Sequence, residues 1–246
     1  MLRKLELAVA VAVVMVAVQA QALTLDFEEF VHGEVVSTPA RANYKGVVIT
    51  IDNFEAGHPD LGIAFDSENE INTADPDLER GTSWAAGNLL PETVLGNILI
   101  IQENNVDCDG GVCSDPDDEA RRQAGTITLS LAPLLTPFSL FEFDLIDLDE
   151  ITAENGSIEF LLGGVQASIF DFDEFTGVTW GDNSANHIDP SDLREIGAYD
   201  EIVITLGGSG AVDNLFMSVP EPSTLALTSL GLSGLAVVGR RRKPRR

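Results

Sequence analysis

"FSLFEFDLIDL", residues 138–148, is the stretch on which the fold turns. Phe141, Phe143 and Leu145 alternate with Glu142 and Asp144. Successive side chains of a β-strand point to opposite faces, so this two-residue period predicts a strand with one buried side. Working outward, similar short β-branched and aromatic runs recur: "LTLDF", "GVVITI", "NILIIQ", "TITLSL", "SIEFLL", "QASIFDF", "GVTW", "EIVITL" and "AVDNLFMS". Gly, Asn, Asp and Pro separate them, as turn residues do. Only the two ends show helical character, apart from "PSDLREIGAY", residues 190–199, which has room for a single turn. About ten strands in roughly 190 residues predict an all-β domain, a single β-sandwich of jelly-roll type. An open barrel is the alternative.

The charge is unevenly placed. The chain has 246 residues and a formal charge of −26. Residues 23–219 hold 38 acidic side chains against six basic ones, while the last seven residues hold six Arg and Lys. A body this negative repels phosphate backbones, which excludes nucleic acid as a partner. It suits divalent cations bound through oxygen.

The two ends read as addresses. "MLRKLELAVAVAVVMVAVQAQA", residues 1–22, has Arg3 and Lys4, then the apolar Leu7 to Val18, then Ala20-Gln21-Ala22. That order predicts a secretory signal peptide. The chain closes on "VPEPSTLALTSLGLSGLAVVGRRRKPRR", residues 219–246. Thr224 to Gly239 is sixteen uncharged residues, a helix of about 24 Å at 1.5 Å per residue. It is a short span for a membrane core of about 30 Å. The arginines behind it would stay cytoplasmic. The expected domains are therefore a signal peptide at 1–22, an extracytoplasmic β-sandwich at 23–219 and a C-terminal signal with a transmembrane helix at 220–246.

Pro220-Glu221-Pro222, the short apolar helix and the arginine cluster together resemble the PEP-CTERM sorting signal of Gram-negative bacteria. The resemblance covers about 27 residues. It implies processing by an exosortase, a membrane cysteine protease, after transit through the inner membrane. It also implies delivery to the cell surface or an exopolysaccharide matrix. The edges of the body, "LTLDFE" and "GAVDNLFMSVPEP", resemble those of PEP-CTERM proteins and of calcium-containing, carbohydrate-binding-like jelly rolls. In that architecture the first and last strands pair. Asp26 or Glu28 would then approach Asp213, and together they would hold a structural Ca²⁺.

Within the body, "NNVDCDGGVCSDPDDE", residues 104–119, is the most loaded stretch. Asn105, Asp107 and Asp109 before Gly110 reproduce positions 1, 3, 5 and 6 of a DxDxDG calcium loop. Position 12 is Pro116, so Asp115 or Asp117 would have to substitute. The alternative is a solvated acidic loop. Cys108 and Cys113 are the only cysteines, and in an exported chain so close a pair is expected to form a disulfide. "GDNSANHIDP", residues 181–190, reads as a turn, with a loop that binds sugar hydroxyls or a cation through Asp182, Asn183, Asn186, His187 and Asp189 as the alternative. "GGSGA", residues 207–211, reads as a Gly-rich hairpin turn rather than a nucleophile elbow. His32, His58 and His187 lack ligand spacing, and Trp84 and Trp180 fit a core as well as a sugar platform. No catalytic residue is assigned. The expected role is non-enzymatic: a structural or adhesive surface or matrix protein associated with calcium and polysaccharide. A secreted carbohydrate-active enzyme and a sugar-binding module are the alternatives.

Overall fold

Two sheets account for the body. The structure, a computed structural model, describes residues 22–68, 75–108, 110–134, 138–148, 155–193 and 196–218. Residues 21–220 form one compact unit. Both terminal signals expected from the sequence, with Pro220, Glu221 and Pro222, lie outside the described residues, as does Asp109. Ala22, the last residue of the expected signal peptide, is described as the first residue of β1. Among the described residues no helix is long and apolar enough to cross a membrane.

The strands are β1 (Ala22–Leu25), β2 (Val48–Asn53), β3 (Gly62–Asp66), β4 (Ala86–Gly87), β5 (Asn97–Ile101) and β6 (Gly125–Ser130). They continue with β7 (Leu140–Ile146), β8 (Ser157–Leu162), β9 (Val165–Asp171), β10 (Ser184–Ile188), β11 (Glu201–Leu206) and β12 (Ala211–Ser218). One sheet runs β2-β6-β11-β8-β9. The other runs β3-β5-β12-β7-β10-β4, with β1 also on β12. From β5 to β12, eight consecutive strands lay β5-β12-β7-β10 in one sheet and β6-β11-β8-β9 in the other. That is the jelly-roll path of two interleaved Greek keys.

The five-stranded sheet follows its alternating sequence. β6 buries Ile127 and Leu129, and β11 buries Ile202, Ile204 and Leu206, while Thr126, Thr128 and Val203 between them face outward. β8 and β9 meet at Gly163-Gly164, both at positive φ, 59° and 76°. A two-residue turn of this kind matches the twist of its strands, and only glycine adopts it twice without strain.

The seven-stranded sheet is buried on both faces. Its inner face gives Leu99, Phe141, Phe143, Leu145, Val212, Leu215 and Met217 to the main core against the other sheet. Its outer face carries a second core of Ile63, Phe65, Ile98, Ile100, Ile146 and Ala211, roofed by Val35, Leu78, Trp84, Leu95 and Cys113 from the loops. Double burial removes the alternation, so β5 is buried at every position. The expectation of one buried side for β7 is corrected by the same fact: Asp144 is buried too, although it points away from the main core.

Other expectations are corrected here. "GVTW" forms no strand, because Val178 and Trp180 pack only partly against the main core from an irregular segment. "GDNSANHIDP" is no mere turn, since Ser184–Ile188 is β10, paired with both β7 and β4. "GGSGA" makes no hairpin: residues 207–210 carry the chain from β11 in one sheet to β12 in the other.

Candidate functional site

The first and last strands pair as expected, Leu25 opposite Leu215 and Ala22 opposite Ser218. The point that matters lies just before this pairing. β12 has β5 beside it at Ala211–Val212 and β1 from Leu215 onward. At the change of neighbour β12 also carries one extra residue against β7. Asp213 opposes Asp144, but Phe216 opposes Glu142. Asn214 takes φ 49° there. This bulge shifts the parity of the strand. Val212 before it and Leu215 and Met217 after it all face the main core, while Asp213 is left on the other side.

Asp213 is wholly buried, and neither of its carboxylate oxygens has a hydrogen-bond partner. Burial above all pushes its carboxyl up to about 9; the Asn214 backbone amide nearby opposes this, and the charges of Asp144, Glu28 and Asp26 add to it. Its neighbours are better provided. Asp144 accepts from His187 Nδ1 at 2.7 Å and Asn214 Nδ2 at 2.8 Å. The first of these contacts, despite burial, raises the imidazole of His187 above its usual range. Asp26 accepts from Lys45 Nζ at 2.7 Å and Tyr44 Oη at 3.0 Å. Burial opposes ionisation of Asp26, yet these two donors hold it below the usual carboxylate range. Glu28 accepts from the Asn97 amide at 3.2 Å, and burial raises it. Its carboxylate fills the space beside Gly96, where a Cβ would lie 2.1 Å from Oε1. Asn97 sends Nδ2 to the Phe30 carbonyl at 2.8 Å, while its buried Oδ1 has no donor.

Asp26, Glu28 and Asp213 thus come into one electrostatic neighbourhood. Sequence reasoning missed Asp144 and Asn97, which strand register alone brings there. Both oxygens of Asp213 and the Oδ1 of Asn97 are buried acceptors without a donor. A buried acceptor without a donor costs about 1–3 kcal/mol, and a buried charge without a partner costs more.

The loop of residues 104–119 is different. Asn105 and Asp107 are exposed, and Asp107 Oδ2 accepts a long contact from Ser114 Oγ, 3.4 Å. The Asp115 carbonyl takes Gln102 Nε2 at 2.8 Å and Asn104 Nδ2 at 3.3 Å. Cys108 and Cys113 are joined by a disulfide.

Among the described residues, ligand-type atoms converge within 4.8 Å at two other places, His58–Glu103–Glu119 and Asp75–Asp117–Asp118. The Asp26–Glu28–Asp213 neighbourhood is not drawn that tightly. Glu119, its side chain wholly buried, takes His58 Nδ1 at 2.5 Å, Asn53 Nδ2 at 3.0 Å and the Arg121 amide at 2.9 Å. Asp118 takes the Gly210 amide at 2.5 Å and Ser209 Oγ at 2.9 Å. Burial pushes Asp118 well up, and the adjoining Asp75 adds to this. Burial and then Glu103 push Asp117 up to about 7. The run "DPDDE" hints at these groups, but His58 and Asp75 join them from far along the chain. Trp84 is no sugar platform, since it sits in the second core with Nε1 on the Thr93 carbonyl at 2.9 Å.

Comparison with known proteins supplies one match. Residues 218–243 match the model of the PEP-CTERM protein-sorting motif, which spans Pro220, Glu221 and Pro222. No curated protein matches the chain. The motif implies processing by an exosortase and export via the membrane. Ser218, where it begins, is also the last residue of β12. Behind a body of β-strands in two sheets, then, this chain carries a PEP-CTERM protein-sorting motif.

Proposed function

We propose that the chain is an exported, non-enzymatic protein of the cell surface or extracellular matrix with a structural or adhesive role. In this reading a structural Ca²⁺ sits at the bulge of β12. The observation that carries the reading is the Asp213 carboxylate, wholly buried with two oxygens and no donor. Asp213, Glu28 and Asn97 Oδ1 supply oxygen ligands, the donor type a hard divalent cation takes. Asp26 and Asp144 already have Lys45 Nζ and His187 Nδ1 as hydrogen-bond donors, so they add field rather than direct bonds. Such an ion lies under the surface and stiffens the junction of the first strand, the last strand and β5. It does not itself reach a glycan. Contact with an acidic polysaccharide then falls to exposed carboxylates of the body, with further divalent ions between two anions.

Co-sedimentation of the exported protein with acidic exopolysaccharide tests the role. Binding should appear with Ca²⁺ and vanish with chelator, and no oligosaccharide should be released. Release of oligosaccharide, lost on replacing a single carboxylate, would establish an enzyme instead. The intact mass of the protein from culture tests the export half, with loss of residues 1–22 and of the tail near residues 220–222 expected.

A further inference from the structure

β5 ends at Ile101, and the chain returns beside it, with Glu103 N on the Asp117 carbonyl and Glu119 N on the Ile101 carbonyl, both at 2.9 Å. The loop between carries the disulfide and lies along residues 33–35. Val35 N donates to the Gly111 carbonyl and Cys113 N to the Gly33 carbonyl, each at 2.8 Å, and Val112 bridges to Glu34. On its other edge the same segment pairs with β3. Gly33 N donates to Ala64 O at 2.7 Å, Ala64 N to Glu34 O at 3.0 Å and Val36 N to Gly62 O at 2.9 Å. Residues 33–36 are therefore held by backbone hydrogen bonds between β3 and residues 111–113. The approach is so close that a Cβ on Gly33 would lie 2.2 Å from the Cys113 carbonyl oxygen.

Little in the loop's own sequence favours an extended shape. Gly110 and Gly111 both sit at positive φ, 89° and 88°, with open space around them. Glycines lose the most freedom on ordering, so the crosslink from Cys108 to Cys113 supplies the restriction that the sequence lacks.

We propose that this disulfide is a redox-operated latch on the N-terminal segment. Closed, it holds residues 111–113 against Gly33 and Val35 and completes the covered edge of the seven-stranded sheet. Open, it releases both, and β3 loses its cover. Cys113 is buried in the second core and Cys108 is half-buried, so Cys108 Sγ is the sulfur within reach of an incoming thiolate. To open the latch, a thiolate of a dithiol oxidoreductase attacks Cys108 Sγ. The Cys108–Cys113 bond breaks, and Cys113 leaves as a thiolate and takes a proton. The second thiol of the oxidoreductase then displaces Cys108 and keeps the disulfide. Closing is the reverse, two thiols giving two protons and two electrons to an oxidoreductase disulfide. In a reducing compartment the edge stays open, and it closes in an oxidising one. An open strand edge is a template for wrong pairing, so the latch confines this finished edge to the exported protein.

Amide hydrogen exchange on the full chain, oxidised against phosphine-reduced, tests this. Exchange at positions 33, 35 and 113 should quicken on the order of tenfold or more on reduction. Ile127 and Ile204, in the five-stranded sheet, should keep their protection. The double variant Cys108→Ser, Cys113→Ser should match the reduced protein without any reductant. Unchanged exchange at the three positions, or an equal loss at Ile127 and Ile204, overturns the latch.

Discussion

The two sheets meet at one core but treat their outer faces in opposite ways. The five-stranded sheet leaves its outer face half-wet, with Thr126, Thr128, Val203 and Glu201 on it. The seven-stranded sheet roofs its outer face with loops and then buries ionisable groups there: Asp144 and Asp213 on its strands, Asp118 in a loop beside it. The first arrangement is a stability device with little chemistry. In the second, water is excluded and each buried carboxylate must find a donor, a proton or a cation. Function is therefore sought on the roofed side.

The largest effect expected from this contrast is one of pH. With divalent ions chelated, the Asp213 carboxyl titrates near 9 in the fold against 3.8 as an ordinary aspartate. A raised carboxyl favours the folded state while neutral. Its contribution is whole below about pH 4 and is lost as pH rises toward 9. Leaving that charge buried and unpartnered costs about 3–5 kcal/mol. Thermal melts of the chelated protein should therefore fall from acid to alkaline pH, and Asp213→Asn should flatten that fall.

The roof is tested next. Ile98, wholly buried under the loops, should cost about 3 kcal/mol on truncation to Ala, as a main-core residue would. Loss of the disulfide by the double Cys→Ser change should cost about 2 kcal/mol, since the loop it closes is short. The smallest effect belongs to the wet face, where Val203→Ala should cost less than about 1 kcal/mol. Denaturant melts measure all three. Equal costs for Ile98→Ala and Val203→Ala would erase the distinction between the sheets.

That distinction also sets what the sequence could reveal. "TITLSL" and "EIVITL" announce strands of the five-stranded sheet because one face is wet and the two-residue period survives. "GIAFD" (β3) escaped notice, and "SANHI" (β10) read as a turn. Both lie in the sheet buried on two sides, where polarity no longer alternates. β10 also carries Asn186 and His187, which the structure supplies with partners from Thr179, Asn88 and Asp144. The surroundings of Asp213 were half legible. Asp26, Glu28 and Asp213 followed from the pairing of the first and last strands that the resemblance implied. Asp144 and Asn97 did not, because only register places them. The sorting motif was legible in full, since its parts are contiguous in the chain.

Asp213 is the proposed seat of the cation. Calorimetric titration of Ca²⁺ into the chelator-treated full chain, beside Asp213→Asn, asks this directly. The parent chain should show a binding site that is missing from the variant. Identical titrations for the two proteins, or no binding by the parent, would contradict it.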